Sequence, residues 1–115
     1  MMILICDDSA SQTSLCKKAL LHLAQRHDVH VKIRTFPSGE ALLFEAEDLF
    51  TAVDLIYLDI RMPGPDGLET AKRLRGMGYI GDIVFFSVTP EYAIAGYDVS
   101  ALHYVVKDQT SAEKF

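Results

Sequence analysis

Leu55-Ile56-Tyr57-Leu58-Asp59 is the stretch on which the fold turns: four bulky apolar residues in succession, closed by a carboxylate. The run is too short for a helix and does not alternate with polar residues, so it reads as a strand buried on both faces. Ile3 to Cys6, Ile83 to Phe86 and Tyr104 to Val106 are runs of the same kind. A fifth differs, because Val29, Val31 and Ile33 alternate with His30, Lys32 and Arg34. That pattern fits a strand covered less completely, at the edge of a sheet.

Helical patterns fill the intervals. Ser9 with Gln12 makes a capping-box signature ahead of Leu15, Ala19, Leu20, Leu23 and Ala24 at helical spacing. A second helix is expected to open at Ser38-Gly39-Glu40 and carry Ala41, Leu42 and Leu43. A third is expected from about Gly67 through Leu74, stopping at Gly76 and Gly78, and Thr89-Pro90 reads as the cap and first turn of a fourth. Strand and helix therefore alternate, with crossovers long enough to make the sheet parallel. The expected fold is α/β, a doubly wound five-stranded parallel sheet in the flavodoxin-like order 2-1-3-4-5. Only eight residues follow Lys107, so a last helix is expected to be short or truncated.

With 115 residues, half of them apolar, the chain suits one domain spanning 1–115. The formal net charge of −5 disfavours a nucleic-acid or membrane surface. No stretch approaches the roughly 20 apolar residues of a membrane span, and Met1 to Cys6 runs straight into acidic residues, unlike a signal peptide. Cys6 and Cys16 lack metal-ligand spacing and read as reduced core thiols of a cytoplasmic protein, and His22, His27, His30 and His103 read as surface residues.

Polar residues collect where the buried runs end: Asp7 and Asp8 after the first, Asp59 after the third, Ser87 after the fourth and Lys107 after the fifth. Ligands of open α/β sheets bind outside the carboxyl ends of the strands, where strand order reverses. Order 2-1-3-4-5 gathers Asp7, Asp8 and Asp59 there. Three carboxylates in one pocket repel unless a cation compensates, and an all-oxygen set with spare positions suits magnesium. Lys107 and Ser87 then form an anion-stabilising half, and the whole describes phosphoryl transfer to a carboxylate. Each residue alone has a plainer reading: Asp-Asp as a helix-start feature, Ser87 as a cap, Lys107 as a guard on an edge strand. Their joint placement at four strand ends favours a site.

Asp7-Asp8, the run Leu58-Asp59-Ile60-Arg61-Met62-Pro63-Gly64, then Asp66-Gly67, Ser87 and Lys107 resemble the receiver domain of two-component response regulators over nearly the whole chain. Glu91-Tyr92-Ala93 and Ala101-Leu102-His103-Tyr104-Val105-Val106-Lys107 are similar to receivers of the LytTR class. The resemblance implies that a sensor histidine kinase phosphorylates Asp59. It implies that Asp7, Asp8, Asp59 and the main-chain carbonyl of Arg61 bind Mg2+, and that Ser87 and Lys107 hold the phosphoryl group. Tyr104 would be the switch aromatic. It also implies a signalling phosphoacceptor rather than an enzyme, with magnesium-dependent self-phosphorylation and slow autodephosphorylation only. A homodimer through the fourth helix and fifth strand is implied as well, with DNA bound only by an output domain missing after residue 115.

Two positions depart from the family pattern. Val88 stands where receivers usually have a small residue, and Asp108 stands where they usually have proline. Crowding by Val88 is expected to slow exchange at Asp59, and a trans bond before Asp108 is expected to re-aim Lys107. Two other functions fit the same residues: a degenerate receiver acting as a phosphorylation-independent protein-binding module, and a small phosphatase turning over on an aspartyl intermediate. The latter needs a general acid or base, and the sequence offers no dedicated one.

Overall fold

A computed structural model of the chain describes residues 1–87 and 103–106, with Phe86, Ser87 and 103–106 described through their backbone. Among the described residues there are five strands and three helices, in the order β1 (Met2–Cys6), α1 (Ala10–Arg26), β2 (Lys32–Phe36), α2 (Gly39–Leu49), β3 (Leu55–Asp59), α3 (Gly67–Gly76), β4 (Asp82–Ser87) and β5 (His103–Val106). All neighbouring strands are parallel and the order is β2-β1-β3-β4-β5, as the run-and-carboxylate pattern requires.

Side chains alternate across each strand. Leu4 and Cys6, Ile56 and Leu58, and Ile83 and Phe85 face α2 and α3, where they pack with Leu42, Ala46, Ala71 and Leu74. Ile3, Ile5, Tyr57 and Val84 face the other way, onto Cys16 and Leu20 of α1. Both faces of the central strands are thus buried, which explains their unbroken apolar runs. Each large aliphatic side chain so buried contributes about 1.5–3 kcal/mol.

Each helix starts on a side-chain cap. Ser9 Oγ accepts from the Gln12 amide at 3.3 Å, Ser38 Oγ from the Ala41 amide at 3.1 Å, and Asp66 Oδ1 from the Glu69 amide at 2.8 Å. The box expected at Ser9 is altered in one respect: the Ser9 amide donates to Asp7 Oδ1 at 2.9 Å. The cap of α1 is thereby tied to the acidic residues after β1.

Two expectations shift. The alternating run was expected to be a strand from Val29, but β2 begins at Lys32 and continues to Phe36, so its register is Met2 against Lys32 through Cys6 against Phe36. Asp28, with φ of 54°, and the amide of Val29, bonded to Ala24 O at 2.8 Å, spend residues 28 and 29 on closing α1. Leu15 was expected on the core side of α1 but faces solvent, while Cys16 is buried. The expected fourth helix at Thr89-Pro90, Val88, Lys107, Asp108 and the short last helix lie outside the described residues.

Candidate functional site

The register sets the rows on which the site is built. Cys6 pairs with Leu58, so Asp7, one residue further on, is level with Asp59 at the end of β3. Asp59 in turn pairs with Phe86, which puts the backbone of Ser87 one residue beyond that row. Ser87 pairs with Val106, and Tyr104 with Phe85, so both lie in the two strands beyond β3. Lys107 is outside the described residues. The structure therefore brings together Asp7, Asp8 and Asp59, and ends β4 beside them.

One carboxylate oxygen from each of Asp7, Asp8 and Asp59 lies within 4.8 Å of the others. Asp7 is 2 % exposed and Asp59 5 %, whereas Asp8 is exposed. Two buried carboxylates and one open to water make an all-oxygen donor set with a solvent-facing side. Such a set fits magnesium, which keeps several waters and takes few protein ligands. The negative field of the cluster reaches the sulfur behind it. Burial first, and then Asp7, Asp59 and Asp8, push the Cys6 thiol up from 9.0 to about 12.

The loop after β3 is held from below. Ile60 and Met62 are buried while Arg61 between them is exposed, so the backbone at Arg61 runs along the site's rim with its neighbours anchored in the core. Cys6 Sγ and Met62 Sδ are 3.7 Å apart, which links the strand bearing Asp7 to the loop following Asp59. Gly67 donates its amide to Ile60 O at 2.8 Å and packs against the backbone of Asp59. A Cβ at Gly67 would meet Asp59 O at 2.2 Å, so only glycine permits this approach. On the other side of the loop, a Cβ at Gly39 would fall 2.2 Å from Thr70 Oγ1 and 3.0 Å from Pro65 O. That Thr70 hydroxyl already donates to Asp66 O at 2.7 Å. The three carboxylates are legible in the sequence but these supports are not, apart from the Asp66-Gly67 pair that signals one of them.

The chain matches the family described as the response regulator receiver domain over residues 3–114. It belongs to that family. This receiver is 33% identical over 114 residues to the positive alginate biosynthesis regulatory protein of Pseudomonas aeruginosa, covering 98% of the chain and 44% of the relative. It is 30% identical over 105 residues to the sensory transduction protein LytT of Bacillus subtilis, covering 91% of the chain and 41% of that protein. The receiver thus spans less than half the length of these curated relatives. Among solved structures it is similar to the response regulator protein TrrA of Thermotoga maritima in complex with Mg(2+)-BeF. The TM-score there is 0.76 with 29% identity, over 93% of this chain and 86% of TrrA. The LytTR-class resemblance agrees with the two curated relatives. Among the described residues, no helix of this receiver is long and apolar enough to cross a membrane.

Proposed function

We propose that this chain is the phosphoacceptor receiver of a two-component response regulator, with Asp59 as the residue phosphorylated by a sensor histidine kinase. The observation that carries the reading is the convergence of three carboxylate oxygens within 4.8 Å at the carboxyl ends of adjacent strands. In the transfer, a carboxylate oxygen of Asp59 attacks phosphorus, the bond from phosphorus to the kinase imidazole nitrogen breaks, and the leaving imidazole recovers a proton from water. Asp7, Asp8, Asp59 and the main-chain carbonyl of Arg61 would hold magnesium, which supplies positive charge against the phosphoryl oxygens. Ser87 donates a hydrogen bond to the new phosphoryl group and Lys107 pairs with it. Tyr104 then moves with them and changes the face formed by the fourth helix and β5. A homodimer through that face and a DNA-binding output domain beyond residue 115 belong to the same reading, as do a cytoplasmic setting and a signalling rather than a turnover role.

The test is incubation with a small phosphodonor and magnesium, followed by intact-mass spectrometry. One phosphoryl group is expected on the native chain and none on Asp59→Asn. Unmodified protein, or equal modification of the variant, would overturn the reading. Magnesium titration separates the alternative of a phosphorylation-independent binding module, which needs no metal.

A further inference from the structure

Charge differs sharply between two of the helices, α1 and α2. Every ionisable side chain on α2 is a carboxylate: Glu40, Glu45, Glu47 and Asp48. On α1 the charged residues are Lys17, Lys18 and Arg26, with no carboxylate. These helices lie on opposite faces of the sheet, since α2 packs on the Leu4, Leu58 and Phe85 side and α1 on the Ile5, Tyr57 and Val84 side. The molecule therefore presents the acidic helix α2 on one flank, beside α3 with its Glu69, Lys72, Arg73 and Arg75, and the basic helix α1 on the other.

Each of these helices also leaves apolar surface in water. Phe44 of α2 is 90 % exposed, a high value for a phenyl ring. Glu40, Glu47 and Asp48 stand four before, three after and four after it, so carboxylates surround the ring on the helix surface. Glu45 is accounted for separately, in an ion pair with Arg34 at 2.6 Å. On α1, Leu15 and Leu21 are 59 % and 43 % exposed, and Lys18 lies three residues from each. The two surfaces mirror each other in composition: aromatic ring within acids, leucines about a lysine.

We infer that the α2 face of one copy docks on the α1 face of a second copy of this chain, Phe44 seating between Leu15 and Leu21 while Lys18 meets the carboxylates around the ring. Charge complementarity selects the occupant, because α2 needs a basic partner with an apolar seat and α1 offers one. The contact joins two different patches, so it is head-to-tail rather than two-fold, and it leaves one unused patch at each end of any dimer. It is independent of phosphorylation, and its failure would leave the role of Asp59 untouched.

The experiment is sedimentation velocity on the full chain and on two surface variants, Phe44→Ser and Lys18→Glu, with circular dichroism to verify that both are folded. The native chain is expected to show a sedimentation coefficient that rises with concentration at low salt and falls back as salt screens the charges. Each variant alone is expected to lose the rise. Mixed together, the two variants are expected to form a dimer and nothing larger, because each retains the patch that the other has lost. A native chain that stays monomeric at low salt, variants that associate like the native chain, or a mixture that forms no complex would each overturn the proposal.

Discussion

Gly67 sits against Asp59 so closely that the position of its absent Cβ is 2.2 Å from the Asp59 carbonyl oxygen and 2.8 Å from Ile60 Cα. Both obstacles are backbone, and neither can swing aside as a long side chain could. Gly67→Ala must therefore move the start of α3 or the end of β3. The expected cost is about 1–3 kcal/mol in urea unfolding, the usual range for overpacking. A larger loss is expected in the rate of Asp59 modification by a small phosphodonor. Unchanged stability and rate would show that the end of β3 yields freely.

The like charges of Asp7, Asp8 and Asp59 oppose folding when no cation is present. Asp8 faces water, so its share is screened, and Asp8→Asn is expected to raise apo stability by roughly 1 kcal/mol. The same variant is expected to reverse rank in magnesium. A bound ion stabilises the native chain by about 2.7 kcal/mol at a hundred times its dissociation constant, and the variant forfeits most of that. Thermal unfolding with chelator and with magnesium checks both halves; parallel shifts in the two proteins would contradict them.

Alkaline pH is expected to weaken the fold through three buried acids, Cys6, Tyr79 and Tyr57, the last raised by burial first and then by Cys16. Burial and the neighbouring carboxylates raise Cys6 from 9.0 to about 12. Tyr79 is raised from 10.0 to about 12 by burial first, against a lowering from Arg75. For all three groups the folded chain favours the neutral form. The unfolded chain therefore loses its protons first, and stability is complete below about pH 9 and declines as pH rises towards 12. Tyr79→Phe is expected to make the decline above about pH 10 shallower, leaving the contributions of Tyr57 and Cys6. It also loses the hydroxyl's hydrogen bond to Asp82 O at 3.3 Å, an offset of about 0.5–1.5 kcal/mol at neutral pH. Urea midpoints across this range, with chelator present, separate slope from offset.

Thiol reactivity follows from the same burial. Cys6 and Cys16 are both buried and free of disulfide. The thiolate of Cys6 is scarce below pH 12. Native protein at pH 8 is expected to resist alkylation at Cys6 and to label readily there in urea. Rapid labelling of native Cys6, read by peptide mass, would mean that β1 opens far below the global unfolding free energy.

The capping residue Asp66 gives a stability test outside the carboxylate cluster itself. Asp66→Ala removes the acceptor for the Glu69 amide and is expected to cost about 1 kcal/mol. Asp66→Ser, which retains a capping oxygen, is expected to recover most of it. Equal losses in the two variants would assign the effect to the loop rather than to the cap.

Much of this architecture was legible because burial on both faces leaves an unmistakable trace in β1, β3 and β4, and because Asp7 and Asp59 end two of those runs. The edge strand was less so. Residues 29–34 alternate as a strand would, yet the return from α1 consumes Asp28 and Val29, and Thr35 and Phe36 complete the pairing with β1. Leu15 misled for a related reason: helical spacing shows which residues share a stripe, but the neighbouring Cys16 packs where Leu15 was expected. The contacts of Gly67 with Asp59 and of Cys6 with Met62 join residues far apart in sequence or across a turn, so composition alone carries no trace of them.

The close fit of Gly39 to Thr70 and Pro65 bears on how force could travel through the molecule. With α2 seated on the first turn of α3, and Gly67 seated on Asp59, the loop from 60 to 66 is clamped at both ends to the same helical layer. That flank is the anvil of the domain. A push originating at the Asp59 carboxylate meets stiffness on the side of α2 and α3.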